Sequence, residues 1–179
     1  MKRIQAELDD TTVESLNAGD QVLITGVLYT ARDAAHKRFV DALEKGEDLP
    51  VDLRGRIIYY TGPTPAKPGH PTGSAGPTTS GRMDAYTPAL IQRCGLKGMI
   101  GKGKRSARVV ECIKQNNCVY FAAIGGAGAL IARSIKAIEA VCYQDLGPEA
   151  VHRIQVVDFP AIVATDSSGT SAYPANPQI

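Results

Sequence analysis

The residues of this sequence best suited to chemistry are hydroxyls and cations set among glycines. The densest run is Gly76-Pro77-Thr78-Thr79-Ser80-Gly81-Arg82-Met83-Asp84: three consecutive hydroxyls, then a guanidinium, then an acid where a helical pattern begins. Hydroxyls and free amides at a helix start suit an anion, because unpaired N–H groups and the helix dipole both point at it. Arginine adds a planar fork that grips a carboxylate through two parallel hydrogen bonds. The same run also reads as a surface turn with a capped helix behind it. Arg32, in Thr30-Ala31-Arg32-Asp33, falls in the first turn of another helical pattern, where a cation opposes the dipole and asks for an anion to serve.

Lys102 lies in Gly98-Met99-Ile100-Gly101-Lys102-Gly103-Lys104-Arg105. That run nearly matches the phosphate-loop pattern, but Arg105 stands where a hydroxyl must hold magnesium. Gly125-Gly126-Ala127-Gly128 opens like a dinucleotide fingerprint, yet Ile131 occupies the third glycine position, and close packing of strand on helix accounts for the glycines as well. Arg32, Thr78, Thr79, Arg82 and Lys102 could together grip a compound with two carboxylates, if the fold gathers them. A phosphate- or nucleotide-binding module on the Gly101-Lys102-Gly103-Lys104 loop is the alternative.

The elements that must position these groups follow from periodicity. Ile4, Ala6 and Leu8 alternate as a first strand, and Thr11-Thr12-Val13-Glu14 has capping-box spacing. Gln21-Val22-Leu23-Ile24-Thr25-Gly26-Val27 reads as a buried strand, followed by a helix capped by Thr30 with Ala35, Phe39, Ala42 and Leu43 on one face. Residues 61–80 form a long loop holding Pro63, Pro65, Pro68, Pro71 and Pro77, stiff enough to follow a defined path. Thr87-Pro88 starts a helix that Gly95 ends; Lys97 to Ile100, by number 97–100, is a strand; Val109, Cys112 and Ile113 mark one helix face. Residues 118–124 are a buried strand, 127–134 a helix, 135–142 a strand, and Pro148-Glu149-Ala150-Val151 starts a short helix. Residues 154–158 and 161–165 are two strands around Phe159-Pro160. Strands alternating with helices give an α/β domain with a mixed, partly parallel sheet, and the early strands suggest a second sheet. Residues 1–169 form a single domain and 170–179 a C-terminal arm.

With 179 residues, 44% hydrophobic and 21% charged, the chain is an ordinary globular size and mix. A net charge of +2 and the lack of basic blocks interleaved with aromatics argue against nucleic acid. The charged N-terminus and short apolar runs predict a cytoplasmic protein with no membrane segment. Cys94, Cys112, Cys118 and Cys142 form no Cys-x-x-Cys pair and His36, His70 and His152 are scattered, so no metal site is expected on this chain.

The run at residues 76–84, then Ile100-Gly101-Lys102-Gly103, Gly125-Gly126-Ala127, Asp158-Phe159-Pro160-Ala161-Ile162-Val163 and the early Arg32-Asp33-Ala34-Ala35-His36 together resemble the β subunit of class I fumarate hydratases and L-tartrate dehydratases. These are iron–sulfur hydro-lyases, and the resemblance spans nearly the whole chain in order. It implies a swivelling β/β/α three-layer domain. It implies an α subunit that carries a [4Fe-4S] cluster on its own three cysteines, a hetero-oligomer (a homo-oligomer being possible in isolation), and a dicarboxylate substrate. The reaction implied is reversible hydration of fumarate to (S)-malate, or conversion of L-tartrate to oxaloacetate, with this chain inactive alone. By the same resemblance Arg32, Arg82 and Lys102 bind substrate carboxylates and steady the charge of an aci-carboxylate intermediate. Thr78 takes the proton from carbon, helped by neighbouring cations, and Thr79 supports the pocket. His36 either lines the site or packs.

Overall fold

The protein is described by a computed structural model that covers residues 1–124 and 128–174. In chain order its elements are β1 (Lys2–Gln5), α1 (Asp10–Glu14), β2 (Gln21–Thr30), α2 (Asp33–Glu44), β3 (Ile57–Tyr59), a 3-10 turn (Ser80–Met83), α3 (Thr87–Cys94), β4 (Gly98–Gly101), α4 (Ala107–Gln115), β5 (Val119–Ala123), α5 (Gly128–Ser134), β6 (Ile135–Cys142), a second 3-10 segment (Gln144–Glu149) and β7 (Val151–Thr165).

β3, β4 and β5 are short apolar runs without a polar side, as strands covered on both faces must be. Their period-two alternation sends Ile57, Tyr59, Ile100, Val119 and Phe121 into one core, and Ile58, Tyr60, Met99 and Tyr120 into another. The first core is completed by residues of β1, β2, α1, α5 and β7, with Tyr59 meeting Phe159 edge-on at 5.1 Å. The second lies against Ala35 and Phe39 of α2, Leu90 and Ile91 of α3, and Val109, Cys112 and Ile113 of α4. The result is the β/β/α layering, with the parallel strands in the middle. Among the described residues, no helix is long and apolar enough to cross a membrane.

β1, β2, β3, β4 and β5 pair in parallel, each with the next. β7 runs antiparallel to β5, β6 and also β2. The second sheet expected from the early strands is therefore the returning part of one hydrogen-bonded sheet, which closes on itself through the β2–β7 pairing. The two strands read around Phe159-Pro160 are one strand of 15 residues. It bends at Asp158, whose φ of 52° lies in the left-handed region, opposite a register shift at Ile24/Gly26. An inserted bend of this kind lets one strand serve two neighbours around a closed sheet. Here β7 pairs with β6 before the bend and with β5 after it.

Three local expectations are corrected. Asp9, not Thr11, caps α1, its carboxylate accepting from the Thr12 amide at 2.7 Å. Thr30 does not cap α2; it ends β2, and its hydroxyl accepts from the His152 amide at 3.1 Å. Residues 148–151 do not start a helix: Pro148 and Glu149 close a 3-10 segment and Val151 begins β7. Thr87-Pro88 and Gly95 do bound α3, with Gly95 left-handed at φ 69°.

Arg105, the residue that spoils the phosphate-loop pattern, is fully buried. Its Nε donates to Asp84 Oδ1 at 2.6 Å and its Nη2 to Thr87 Oγ1 at 2.7 Å, while Nη1 reaches the Tyr60 hydroxyl at 3.2 Å. The guanidinium carbon lies about equally far from the Tyr60 and Tyr120 ring centres, at 5.3 and 5.0 Å. The other Asp84 oxygen accepts from the Ser106 amide at 2.7 Å, at the start of α4. This cluster ties the turn at Ser80–Met83 to α3, α4 and β3. Removing one partner of a buried charge pair strands the other, which costs about 3–5 kcal/mol. Arg105→Ala should lower unfolding stability in urea by about that amount, and a loss near zero would remove the clasp from this account.

His36 on α2 is also wholly buried, edge-on to Tyr60 at 5.3 Å. Its Nδ1 lies 2.8 Å from the Arg32 carbonyl oxygen, which can only accept, so Nδ1 carries the proton. Nε2 has no hydrogen-bond partner among the described residues. Burial pushes the imidazole pKa down from 6.5 to about 4, against the opposing pull of the Arg32 carbonyl. Below its ordinary pKa the unfolded chain takes up a proton that the folded chain refuses. Stability from this group is thus complete above pH 6.5 and drains away as the pH falls towards 4. Between about pH 7 and pH 4.5 the wild-type chain should lose about 2–3 kcal/mol more than His36→Gln, measured by denaturant unfolding. Equal losses in the two proteins would contradict it.

Candidate functional site

Because β2, β3, β4 and β5 are parallel, their carboxyl ends share one edge, and the segments leaving them meet there. β2 leads into Arg32, the backbone cap of α2, which makes no side-chain capping bond. β3 leads into Tyr60 and the proline-rich loop. β4 leads into Lys102.

The loop is an excursion with both legs fastened. The Thr61 hydroxyl donates to the Gly76 carbonyl at 2.7 Å, the Tyr59 hydroxyl donates to the Ala75 carbonyl, and the Thr64 and Ser74 backbones pair at 2.9 Å. On its return the chain slots between β3 and β4. The Thr78 amide donates to the Tyr60 carbonyl at 2.7 Å, the Lys102 amide to the Thr78 carbonyl at 3.3 Å, and the Ser80 amide to the Lys102 carbonyl at 2.9 Å. Thr79 and Lys102 form an isolated parallel bridge. The strip is locked from below: the Ser80 hydroxyl lies 2.8 Å from the Tyr120 hydroxyl, and the Tyr120 hydroxyl donates to the Gly103 carbonyl at 2.8 Å. A Cβ at Gly101 would lie 1.9 Å from Ser80 Oγ, so only glycine lets the two strips approach this closely.

This changes the anion argument. Ser80–Met83 is a single 3-10 turn, and the amides of Thr78 and Ser80 are spent on Tyr60 and Lys102. Those two amides are not available to an anion, and the neighbouring side chains are the groups placed to meet one. The Thr78 hydroxyl and the Lys102 ammonium make no hydrogen bond or ion pair among the described residues, and Thr79 and Lys102 are exposed. Arg82, half exposed, donates from Nε to Asp33 Oδ1 at 3.0 Å, and its Nη2 lies 3.0 Å from Oδ2. Arg32 Nε stands 3.9 Å from Asp33 and 3.7 Å from Glu149. Arg32 also lies over Gly62, where a Cβ would come within 3.2 Å of its Cδ. The five residues singled out from sequence thus form one linked row: Lys102, Thr78 and Thr79 through the backbone ladder, Arg82 one turn on, and Arg32 through Asp33.

Sequence reasoning passed over Asp33 and Arg105 as parts of the site. Asp33 stands in Arg32-Asp33-Ala34-Ala35-His36, where its type alone gives it no role beyond an acid in a helix's first turn. Arg105 was visible only as a motif defect.

In the phosphate-loop alternative the Lys102 ammonium stays unpaired among the described residues, while the groups that follow it are engaged. The Gly103 amide donates to the Tyr173 hydroxyl at 3.1 Å, the Lys104 ammonium to the Pro174 carbonyl at 2.8 Å, and Arg105 is buried on Asp84. The fingerprint residues Gly125-Gly126-Ala127 lie outside the described residues. The described residues hold no group of three metal-ligating side chains. Burial pushes the Cys118 thiol up to about 12 and the Cys142 thiol up to about 11.

Known proteins resemble this chain over most of its length. The family described as Fumarase C-terminus matches residues 2–176. The chain is 37% identical over 174 residues to "Fumarate hydratase class I, anaerobic" of Escherichia coli (strain K12), covering 97% of this chain and 31% of that protein. It is 38% identical over 156 residues to "Fumarate hydratase 2" of Leishmania major, covering 87% of this chain and 28% of that protein. It therefore spans about a third of the fumarate hydratases it matches. With "Putative L(+)-tartrate dehydratase subunit beta" of Methanocaldococcus jannaschii it shares 40% identity over 172 residues, covering 93% of this chain and 88% of that protein. By its matched length, its layered sheet and these relatives, the chain belongs to the fumarase C-terminal domain family.

Proposed function

We propose that this chain is the β subunit of a two-subunit class I fumarate hydratase, binding fumarate and (S)-malate in an active site shared with an α subunit. The observation that carries the reading is the linked row at the strand ends: two guanidiniums, one ammonium and two threonine hydroxyls on an open edge. A four-carbon dicarboxylate presents two anionic ends, and three cations can engage both. Arg82 and Arg32 would grip one or both carboxylates by forked hydrogen bonds, and Lys102 would add a point charge. As a proton leaves the carbon next to a carboxylate, negative charge spreads onto that group, and fixed cations stabilise it most where water is excluded. Thr78, held by its own amide and carbonyl, keeps its hydroxyl uncommitted and could receive that proton if the nearby cations favour its alkoxide. Thr79 would steady the pocket wall. The [4Fe-4S] cluster that the family resemblance implies belongs, in this reading, to the α subunit, where it would act as the Lewis acid on the hydroxyl.

A second reading is the β subunit of an L(+)-tartrate dehydratase, favoured by the relative that this chain covers over 88% of its length. The same row of cations serves either dicarboxylate, so the substrates themselves must decide.

The test is to co-express the chain with an α partner, restore iron and sulfide without oxygen, and assay fumarate, (S)-malate and L-tartrate. Turnover of fumarate and malate is expected, with the chain alone folded and inactive. Activity on L-tartrate only would select the second reading, and no activity on any of the three would end both. Arg82→Ala and Lys102→Ala should each lower kcat/KM on the order of 10²–10³-fold while the complex still assembles. If Arg82→Ala instead blocks assembly, the loop serves the interface and not the substrate.

A further inference from the structure

One acid stands among the cations of the candidate site. Asp33 is the first residue of α2, where the helix's amide end favours a carboxylate and holds it on a rigid element. It touches both arginines. Its two oxygens face Nε and Nη2 of Arg82 at 3.0 Å each, and Oδ2 lies 3.9 Å from Arg32 Nε.

Arg82 needs such a partner. It projects from a four-residue turn with half its side chain in solvent. A free arginine has several rotatable bonds, and ordering them at the moment of binding weakens binding. A guanidinium offers two edges for forked bonding: the side edge, Nε with Nη2, and the end edge, Nη1 with Nη2. Asp33 takes the side edge through the Nε–Oδ1 hydrogen bond, with Oδ2 beside Nη2 as an ion-pair contact. Nη1 makes no hydrogen bond or ion pair among the described residues, so the end edge is the one left for a ligand.

We propose that Asp33 is a positioning residue of the anion site: it holds Arg82 by its side edge so that the end edge faces an incoming carboxylate, and it lets Arg32 and Arg82 share one anion-binding surface despite their like charges. This rests on the dicarboxylate reading above and extends it, since an acid in the first turn of α2 then determines which edge of the fork reads the substrate. A simple charge argument makes the opposite claim. If Asp33 only diluted the positive field, removing its charge would tighten anion binding.

The two claims differ in sign, and Asp33→Asn separates them. Asp33 is partly exposed and asparagine has nearly the same size and shape, so the variant should fold. In the reconstituted complex with its α partner, Asp33→Asn should raise KM for fumarate and lower kcat/KM by about tenfold or more, because a forked, charge-assisted contact loses its alignment. Asp33→Glu should recover part of the loss. An unchanged or lowered KM in Asp33→Asn would overturn the proposal. The second measurement does not depend on catalysis. Phenylglyoxal labelling of Arg82, followed by peptide mass spectrometry on this chain alone, should run several-fold faster in Asp33→Asn than in the wild type. Equal labelling rates would overturn the proposal. If the wild-type complex turns over none of the three substrates, the hydro-lyase reading fails and the labelling still decides the role of Asp33.

Discussion

The buried guanidinium of Arg105 holds together parts of the chain that otherwise share no strand. It binds Asp84 after the Ser80–Met83 turn, the hydroxyl of Thr87 at the start of α3, and the hydroxyl of Tyr60 beyond β3. Tyr60, Asp84 and the stacked ring of Tyr120 also connect to the candidate site. Tyr60 accepts the Thr78 amide; Asp84 lies two residues from Arg82; Tyr120, stacked on the same guanidinium, is bonded to Ser80 and Gly103 on either side of Lys102. A buried ion pair adds little net stability over apolar packing of the same volume, because desolvation offsets most of the attraction. What it adds here is geometry. An apolar residue could fill the space, but it could not set the heights of Thr78, Arg82 and Lys102 along one edge.

The closed sheet supplies the complementary constraint. Four parallel strands put the carboxyl ends of β2, β3, β4 and β5 on one side, and the β2–β7 pairing stops them from splaying apart. The bend at Asp158 allows this, since β7 must leave β6 and join β5 without losing β2. Functional side chains from distant stretches of sequence are then separated only by strand spacing. A long proline-rich loop fits within such a frame because both of its legs are hydrogen-bonded to the end of β3.

How much of this could be read in the sequence depended on the range of the interaction. The short apolar runs at residues 97–100 and 118–124 mark two of the central strands in the sequence, because burial on both faces leaves a local signature. Pro88 and Gly95 bounded α3 for equally local reasons. The caps failed where a competing tertiary bond won: Thr30 was taken by His152 at the far end of β7, and Asp9 outcompeted Thr11. The single long β7 was hidden because a left-handed residue followed by Phe159-Pro160 looks like a break, and only pairing with three other strands makes it continuous. The five candidate residues were found by type and by resemblance, while the contacts that link them were not. Asp33 with Arg82 spans 49 residues and Arg105 with Asp84 spans 21, distances over which spacing carries no information.

The row of candidate residues divides into two kinds. Arg32 and Arg82 already face acids of their own chain, whereas the side chains of Lys102, Thr78 and Thr79 have no such partner among the described residues. A cation pre-paired on one edge is aligned but partly neutralised. An unpaired lysine is fully charged but loosely held. In the proposed dicarboxylate site, such a combination would be oriented by the arginines and driven by the lysine. The Gly101–Ser80 contact keeps Lys102 at a fixed spacing from Thr78 and Thr79, because it binds the lysine strip to the threonine strip through backbone and buried hydroxyls. Substrate length would then be read by rigid backbone, and substrate charge by side chains whose own counter-ions come from the helix starting at Asp33.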